Sequence, residues 1–545
     1  MKTIKRYTII TVLLVVISIT VSFKSDFFEV AKQIEIYTSA FKELNMYYID
    51  EINPAQLTSD SLNKMLKGLD PYTNYYDEQA VEDAKIRSRG SYGGIGASSS
   101  FKDKKLIIRE VYQDTPASES GLQAGDEIIK IDDVIVKDFE GKAIHSLMKG
   151  LPDTKVSLTI KRNDKILVKE ITRATIEIDP VPFHKMIDSE VGYMAFIKFN
   201  KKASKRVKEA YDDLKDQGMK KLIIDVRGNP GGLLNEVVKI VNYFVEKDQI
   251  VVTTKAKVKK WSGTYKTSNE PIDLEIPLVI LINGRSASAS EILSGALQDL
   301  DRAVVIGERS YGKGLVQRTR RLPYGTQMKL TIAKYYTPSG RCIQELDYTN
   351  RDKKTGIVPK FDPKNRNLFK TKNGRKVYDG GGVEPDIKIE KAEKSLATKA
   401  LFLSDAIFKF SVNYIKKHPN MAKAEAFLLS DTDYSDFIDF ITTNKTSFKT
   451  KTEKEFEKAF KKAEDEKLAV SLTESYAKLK NDLTTKKIAD LEINKTEILD
   501  RISDEILKQK YYKKGMYVHK FTHDKVIKKA TALLKNIKKY NKILK

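Results

Sequence analysis

A single cysteine, Cys342, in 545 residues excludes an intramolecular disulfide and any cysteine-based zinc site. Histidine is almost as scarce. The five are His145, His184, His418, His519 and His523, and none lies in sequence near the serine-rich stretch described below. Basic runs interleaved with aromatics are missing as well. The formal charge of +24 comes from lysines mixed with glutamates throughout, which reads as a solvated surface and argues against a nucleic-acid partner. Beyond about Lys391 the chain has almost no glycine or proline. Its one long uncharged and largely apolar stretch, Tyr7 to Phe23, falls slightly short of the usual membrane-spanning length.

That stretch follows Lys2, Lys5 and Arg6 and is closed by Lys24, the layout of an export signal or an uncleaved N-terminal anchor. Either one predicts a protein working outside the cytoplasm, in the periplasm or on the outer face of the cytoplasmic membrane. The length calls for three or more domains, and 41% hydrophobic residues support globular folding. From about Asp26 to Ala84, Val30, Ile34, Tyr37 and Phe41 recur at helical spacing. Past Lys391, amphipathic segments such as Ile488 to Lys508 predict a separate all-helical domain, read as a structural or docking module without chemistry.

Between these ends the pattern alternates. Leu106 to Val111, Glu127 to Ile131 and Val156 to Arg162 read as strands, with a short helix from Thr115 and a helical stretch from Ala143 to Met148. Val191 to Phe199, Lys221 to Asp225, Pro277 to Ile282, Ala303 to Ile306 and Met328 to Tyr336 read as strands of a mixed α/β layer structure. Asp352 to Asp379 is polar, basic and aperiodic, and predicts a long surface loop.

The distinctive stretch is Asn283 to Glu291, N-G-R-S-A-S-A-S-E, directly after the apolar run ending at Ile282. Ile292, Leu293, Ala296 and Leu297 then recur at helical spacing, so the serines stand where a strand turns into a helix. Unpaired N–H groups and a positive dipole end favour a nucleophile whose reaction creates an oxyanion. A serine-rich helix cap accounts for the same residues, and the stretch alone leaves both readings open. Upstream, Tyr92-Gly93-Gly94-Ile95-Gly96 is a glycine-rich segment whose consecutive N–H groups suit an anion.

With Ala124 to Ile131, that segment resembles a PDZ domain, whose loop takes a peptide's C-terminal carboxylate while the peptide adds to a sheet edge. The serine stretch resembles the carboxyl-terminal processing, or tail-specific, proteases of the S41 serine peptidase family. The resemblance also includes Gly307 to Gln317 (G-E-R-S-Y-G-K-G-L-V-Q), Asp225 to Leu234, Tyr336 to Arg341 and Gly382 to Asp386. It covers roughly Val30 to Ile387.

The resemblance implies a mixed-sheet α/β protease core of the ClpP/crotonase-like kind with an inserted PDZ domain, a helical N-terminal region and an all-α C-terminal domain. The implied divisions are residues 1–23 for the signal or anchor, 24–90, 91–175 for the PDZ domain, 176–390 for the core and 391–545. It makes Ser288 the nucleophile, Lys313 the general base 25 positions on, and Gln317 the residue orienting the lysine. The N–H groups of Ala289 and of Gly231 or Gly232 form the oxyanion hole, and Asp299 is a weaker candidate for supporting the site. No cofactor or metal is implied. The partners are protein substrates with accessible C-termini, with an adaptor or a second copy of the chain left open. A free lysine titrates at about 10.4, so Lys313 is expected in an apolar pocket that favours its neutral form. Two other readings stay beside this one: a Ser-His-Asp triad, which the few histidines weaken, and a non-catalytic PDZ scaffold on a degenerate protease fold. A ligand carrier on the same fold leaves the PDZ unit unexplained.

Overall fold

The computed structural model describes residues 27–139, 144–352, 356–390, 393–443 and 448–545, so the signal or anchor segment lies outside the described residues, as does Ala143. The described chain divides into two units, residues 27–77 with 319–330, and the remainder.

The first unit holds α1 (residues 27–47), α2 (Pro54–Lys67) and β1 (Asn74–Tyr76). Asn53 caps α2 through its side chain, with Pro54 in the first turn. β1 was not foreseen, and it pairs antiparallel with Gln327 to Lys329. The stripe that predicted α1 is exposed: Val30, Ile34 and Tyr37 are each more than half accessible.

The second unit starts with α3 (Glu78–Arg89) and β2 (Ser91–Gly94). Then come β3 (Ala97–Lys102), β4 (Lys105–Val111), α4 (Pro116–Glu119), β5 (Glu127–Ile131), β6 (Val134–Ile135), β7 (Lys155–Arg162), β8 (Lys165–Thr172) and β9 (Ala174–Glu177). One sheet runs β3-β4-β5-β7-β8 around a core that includes Leu106, Ile108, Ile128, Leu158 and Ile160, while β2 pairs with β9 in a two-stranded sheet of their own. The stretch expected to be helical before Met148 is a 3-10 turn, Ile144–Met148.

Then come β10 (Phe183–Met186), β11 (Val191–Ala195), α5 (Ala203–Asp216), β12 (Lys221–Asp225), α6 (Leu234–Asn242), β13 (Ile250–Ala256), β14 (Gly263–Lys266), β15 (Leu278–Ile282), α7 (Ala289–Asp299), β16 (Val304–Gly307), β17 (Leu315–Arg321) and β18 (Gln327–Tyr336), of which β13, β14, β17 and β18 lie outside the central sheet. With β21 (Ile387–Lys388) the order is β10-β11-β12-β15-β16-β21. β11 through β21 are parallel, and β10 is antiparallel at the edge. The apolar runs are buried on both faces, as parallel strands require. Leu222, Ile224, Leu278, Ile280, Ile282 and Val305 join the core beneath α5, α6 and α7. Ile223, Val279, Leu281, Val304 and Ile306 point to the other side, with the period of two of a strand.

The expected loop from Asp352 to Asp379 contains a hairpin, β19 (Leu368–Lys370) with β20 (Lys376–Tyr378). Arg375 is the reason it is ordered, because its guanidinium pairs with Asp301 and Asp386, each at 2.6 Å. Aperiodic sequence does not reveal such a tether.

The remaining chain is helical: α8 (Leu396–Phe402), α9 (Ala406–Lys417), α10 (Asp431–Thr443), α11 (Lys451–Asp465), α12 (Ala469–Glu492), α13 (Lys495–His523, kinked at Tyr511 and Tyr512), α14 (Lys525–Lys535) and α15 (Ile537–Leu544). Phe410, Phe437, Leu491, Ile502 and Ile506 build a core of its own. Yet its end is not separate. Val526, Ile527, Leu533, Leu534 and Tyr540 cover the second face of the central sheet, and the Tyr540 hydroxyl bonds both the N–H and the C=O of Leu278. The sequence cue of a composition change at about Lys391 marks where helices begin, not where the sheet stops being covered. Among the described residues no helix is long and apolar enough to cross a membrane.

Candidate active site

β12, β15 and β16 are neighbours and parallel, so the loops at their C-terminal ends meet on one side of the sheet. These loops carry the glycine turn (226–233), the serine turn (283–288) and the lysine loop (308–314).

The serine turn is tied to the glycine turn from both sides. Asn283 Oδ1 accepts the Gly228 N–H at 3.0 Å. The Ser286 hydroxyl donates to the Val226 carbonyl at 2.8 Å, and the Ser290 hydroxyl to the Asn229 carbonyl at 2.9 Å. Ser286 and Ser290 are fully buried in these bonds, whereas Ser288 is half-buried. Ser288 also has φ 57° and ψ −114°, a conformation a residue with a side chain rarely adopts. The chain there turns sharply from strand to helix and presents the serine at the apex. The Ala289 N–H, first in α7, has no acceptor among the described residues.

Gly231 lies directly against this apex. A Cβ on it would stand 2.6 Å from the Ala287 oxygen, 2.7 Å from the Ala289 nitrogen and 2.8 Å from Ser288 Cβ. Its N–H is already donated to Asn229 Oδ1 at 2.9 Å. Gly232 is exposed, and its N–H has no acceptor among the described residues.

The lysine loop is joined to the serine turn by a residue the sequence reading passed over. Glu291 is completely buried in the first turn of α7, and its carboxylate accepts four donors. Oε2 takes the Ser288 N–H at 2.8 Å and the Lys313 N–H at 2.9 Å. Oε1 takes the Ser310 hydroxyl at 2.6 Å and the Gly312 N–H at 2.7 Å. One oxygen thus anchors the backbones of Ser288 and Lys313. The cue was in the sequence, since Ser288 and Glu291 have the S-x-x-E spacing of a capping box. Burial pushes the Glu291 carboxyl up to about 6, against the pull of the four donors.

The glycines around Lys313 are demanded by packing. A Cβ on Gly312 (φ 84°) would lie 2.4 Å from Glu345 Cβ, and one on Gly314 would lie 2.8 Å from the Gln344 nitrogen. Gly380 to Asp386 braces the loop from outside, where the Ser310 hydroxyl takes the Val383 N–H at 2.6 Å. Lys313 is half-buried. The Gln317 amide donates to Thr331 Oγ1 at 3.2 Å. Asp299 is occupied elsewhere, pairing with the fully buried Arg341 at 2.7 Å and accepting the Ser339 N–H at 3.0 Å. That is a structural cluster at the far end of α7.

The peptide-binding candidates divide. Tyr92, Gly93 and Gly94 belong to β2 and pair with Ile176, Thr175 and Ala174, so this part of the expected loop is a strand. Gly93 is needed because a Cβ would stand 2.0 Å from the Gly150 oxygen. Gly94, Ile95 and Gly96 are buried, and Gly96 (φ 84°) turns against Thr115. The chain then enters β3, the terminal strand of its sheet and an open edge for an added strand. Across from it, His145 Nδ1 and Ser99 Oγ are 2.7 Å apart. Among the described residues no group of three or more His, Cys, Asp or Glu is placed to hold a metal ion.

Comparison with known proteins identifies the family. Residues 190–355 match peptidase family S41, residues 93–172 a PDZ domain, and residues 397–534 the C-terminal helical domain of probable PDZ-proteases. The chain is 34% identical over 329 residues to the carboxy-terminal-processing protease of Bartonella bacilliformis, covering 58% of this chain and 74% of that one. It is 35% identical over 309 residues to a probable CtpA-like serine protease of Staphylococcus haemolyticus, covering 56% of this chain and 61% of that one. A photosystem II D1 C-terminal processing protease of known structure aligns over 65% of this chain and 92% of its own, at 24% identity and a TM-score of 0.36. The chain belongs to peptidase family S41, as a carboxy-terminal-processing serine protease that carries a PDZ domain.

Proposed function

We propose that Ser288 is the nucleophile and Lys313 the general base of this peptidase. The observation that carries the reading is the shared Glu291 oxygen, which holds the two backbones to one point although 25 positions separate them. Neutral Lys313 takes the Ser288 proton as the hydroxyl oxygen attacks a substrate carbonyl. The C–N bond then breaks, the amine leaves with a proton, and water hydrolyses the acyl-enzyme. The N–H groups of Ala289 and Gly232 receive the oxyanion. Gly232 is preferred to Gly231 because the latter's N–H is spent on Asn229. Gln317 orients the lysine from β17.

The PDZ domain, with its turn at Ile95 and Gly96 and its open edge at β3, captures the substrate's C-terminus for cleavage by the dyad. The lysines and arginine before Tyr7 and the uncharged stretch to Phe23 support export, so the site works outside the cytoplasm. The test is cleavage of casein or of a tailed peptide by the intact protein, Ser288→Ala and Lys313→Ala. Both variants are expected to lose all detectable turnover while keeping their unfolding midpoint. Undiminished cleavage by either one sinks the dyad.

A further inference from the structure

Arg227 stands at the entry to the glycine turn, and its side chain is 16% exposed. Asp225, two residues back on β12, holds it through Nε at 2.9 Å and Nη2 at 2.6 Å, and also accepts the Arg227 N–H at 2.9 Å. The Tyr193 hydroxyl donates to the same carboxylate at 2.9 Å. These partners all belong to the central sheet and move with it. The remaining guanidinium nitrogen, Nη1, reaches 297 positions along the chain to Asp524 Oδ2 at 2.8 Å.

Asp524 has a second task. Its Oδ1 accepts the N–H groups of Val526 and Ile527, at 2.8 and 3.1 Å, as the N-cap of α14. Two carboxylates against one guanidinium leave a net negative charge in a mostly buried place, and the positive end of α14 offsets it. Burial acts to raise the Asp524 carboxyl, but Arg227 and the two amides outweigh it and hold the group below the usual carboxylate range. The geometry points to Asp524 as a positioning residue for the proposed oxyanion-hole turn, which makes the C-terminal helical domain part of the catalytic apparatus. Arg227 leads directly into Gly228 and Asn229, and Asn229 fixes both the Gly231 N–H and the Ser290 hydroxyl. Without Asp524, Nη1 loses its partner and the glycine turn keeps only its ties to the sheet and to the serine turn.

The inference rests on Ser288 and the glycine turn acting as proposed, and the substitution Asp524→Asn isolates it. Asparagine caps a helix as well as aspartate does, so α14 keeps its start. With its oxygen on Val526 and Ile527, its NH₂ faces the Nη1 donor and the bond to Arg227 is lost. Leu534→Ala serves as a control, since it loosens α14 on the sheet without touching Arg227. Steady-state cleavage of a tailed peptide is measured for the intact protein, Ser288→Ala, Asp524→Asn and Leu534→Ala, with thermal unfolding of each. Displacing catalytic groups by about 1 Å costs on the order of a hundredfold, so Asp524→Asn is expected to lower kcat by about tenfold to a hundredfold with KM nearly unchanged. Leu534→Ala is expected to lower the unfolding midpoint and keep kcat below it. A kcat for Asp524→Asn within about twofold of the intact value, a loss carried by KM instead, or an equal kcat loss in Leu534→Ala overturns the inference. If Ser288→Ala is dead while Asp524→Asn is fully active, only this inference falls. If Ser288→Ala stays active, the dyad falls first and takes the inference with it.

Discussion

Ser286, Ser288 and Ser290 alternate in five residues, and burial separates them. The outer two give their hydroxyls to backbone carbonyls of the glycine turn, and the middle one is lifted toward solvent by an unfavourable backbone conformation. Such a conformation costs on the order of 1–3 kcal/mol and persists only when its surroundings enforce it. Glu291 is one of the enforcing groups, and it is expected to make pH act on stability and activity in opposite directions. Burial raises its carboxyl from 4.5 to about 6, so the folded protein holds this proton more tightly than the unfolded chain. Its contribution to stability is therefore full below about pH 4.5 and lost as pH rises through about 6, on the order of 2 kcal/mol in all. Activity needs the other form, because all four donors aim at oxygens that must accept. Glu291→Gln replaces one acceptor with an NH₂ that confronts two donors, from either the Ser288–Lys313 pair or the Ser310–Gly312 pair. It is expected to cut kcat/KM by about a hundredfold or more at pH 7.5, a loss on the scale of one oxyanion-hole donor. pH–rate profiles recorded beside thermal unfolding check this, and a variant with intact activity would remove Glu291 from the site.

At the level of elements, the site is a consequence of parallel pairing. Three strands, β12, β15 and β16, end together, and each loop contributes one part: glycine turn, serine turn and lysine loop. Their motifs were readable individually because Gly231, Gly232, Gly312 and Gly314 each answer a steric demand. At Gly231 a Cβ's place is already filled by the Ser288 apex. Gly231→Ala is expected to abolish turnover by displacing Ser288 and the Ala289 N–H, with little loss of helix or sheet signal in circular dichroism. An active Gly231→Ala enzyme would show that this packing is not needed. Other elements were illegible. Tyr92 and Gly93 read as loop because glycine punctuates turns, but they pair with partners far along the chain, Gly93 with Thr175 at 82 positions and Tyr92 with Ile176 at 84. The β19–β20 hairpin hid in polar sequence because Arg375, not apolar periodicity, orders it.

For the whole chain, the C-terminal helices are the main revision. Val526, Ile527, Leu533 and Leu534 bury their side chains over the sheet face formed by Ile223, Val279, Leu281, Val304 and Ile306. At roughly 1.5–3 kcal/mol for each buried aliphatic side chain, their contribution is on the order of 8 kcal/mol, comparable to the net stability of a domain. A chain ending at Glu390 is therefore expected to aggregate or to lose its cooperative unfolding transition. Size-exclusion chromatography and thermal melts of that fragment check it, and a monodisperse, cooperatively melting fragment would overturn it. The same helical domain also holds the PDZ unit: Arg109 pairs with Asp405 at 3.0 Å and stacks on Phe408, and Lys513 reaches Glu110 at 3.1 Å.

By itself the sequence determined the local chemistry: the strand-to-helix turn at Ser288, the Gly-Lys-Gly loop, the helical tail and the family these motifs belong to. Such features depend on neighbours a few residues apart, where sterics and spacing act directly. Only the tertiary structure decided that Glu291 joins Ser288 to Lys313, that Asp299 is taken by Arg341, and that Asp524 grips Arg227 from the far end of the chain. Those links run between segments up to 297 positions apart. Hydrogen bonds and ion pairs at such separations leave no periodicity in the sequence, because any exposed Asp, Glu or Arg looks the same until the fold buries it beside its partner.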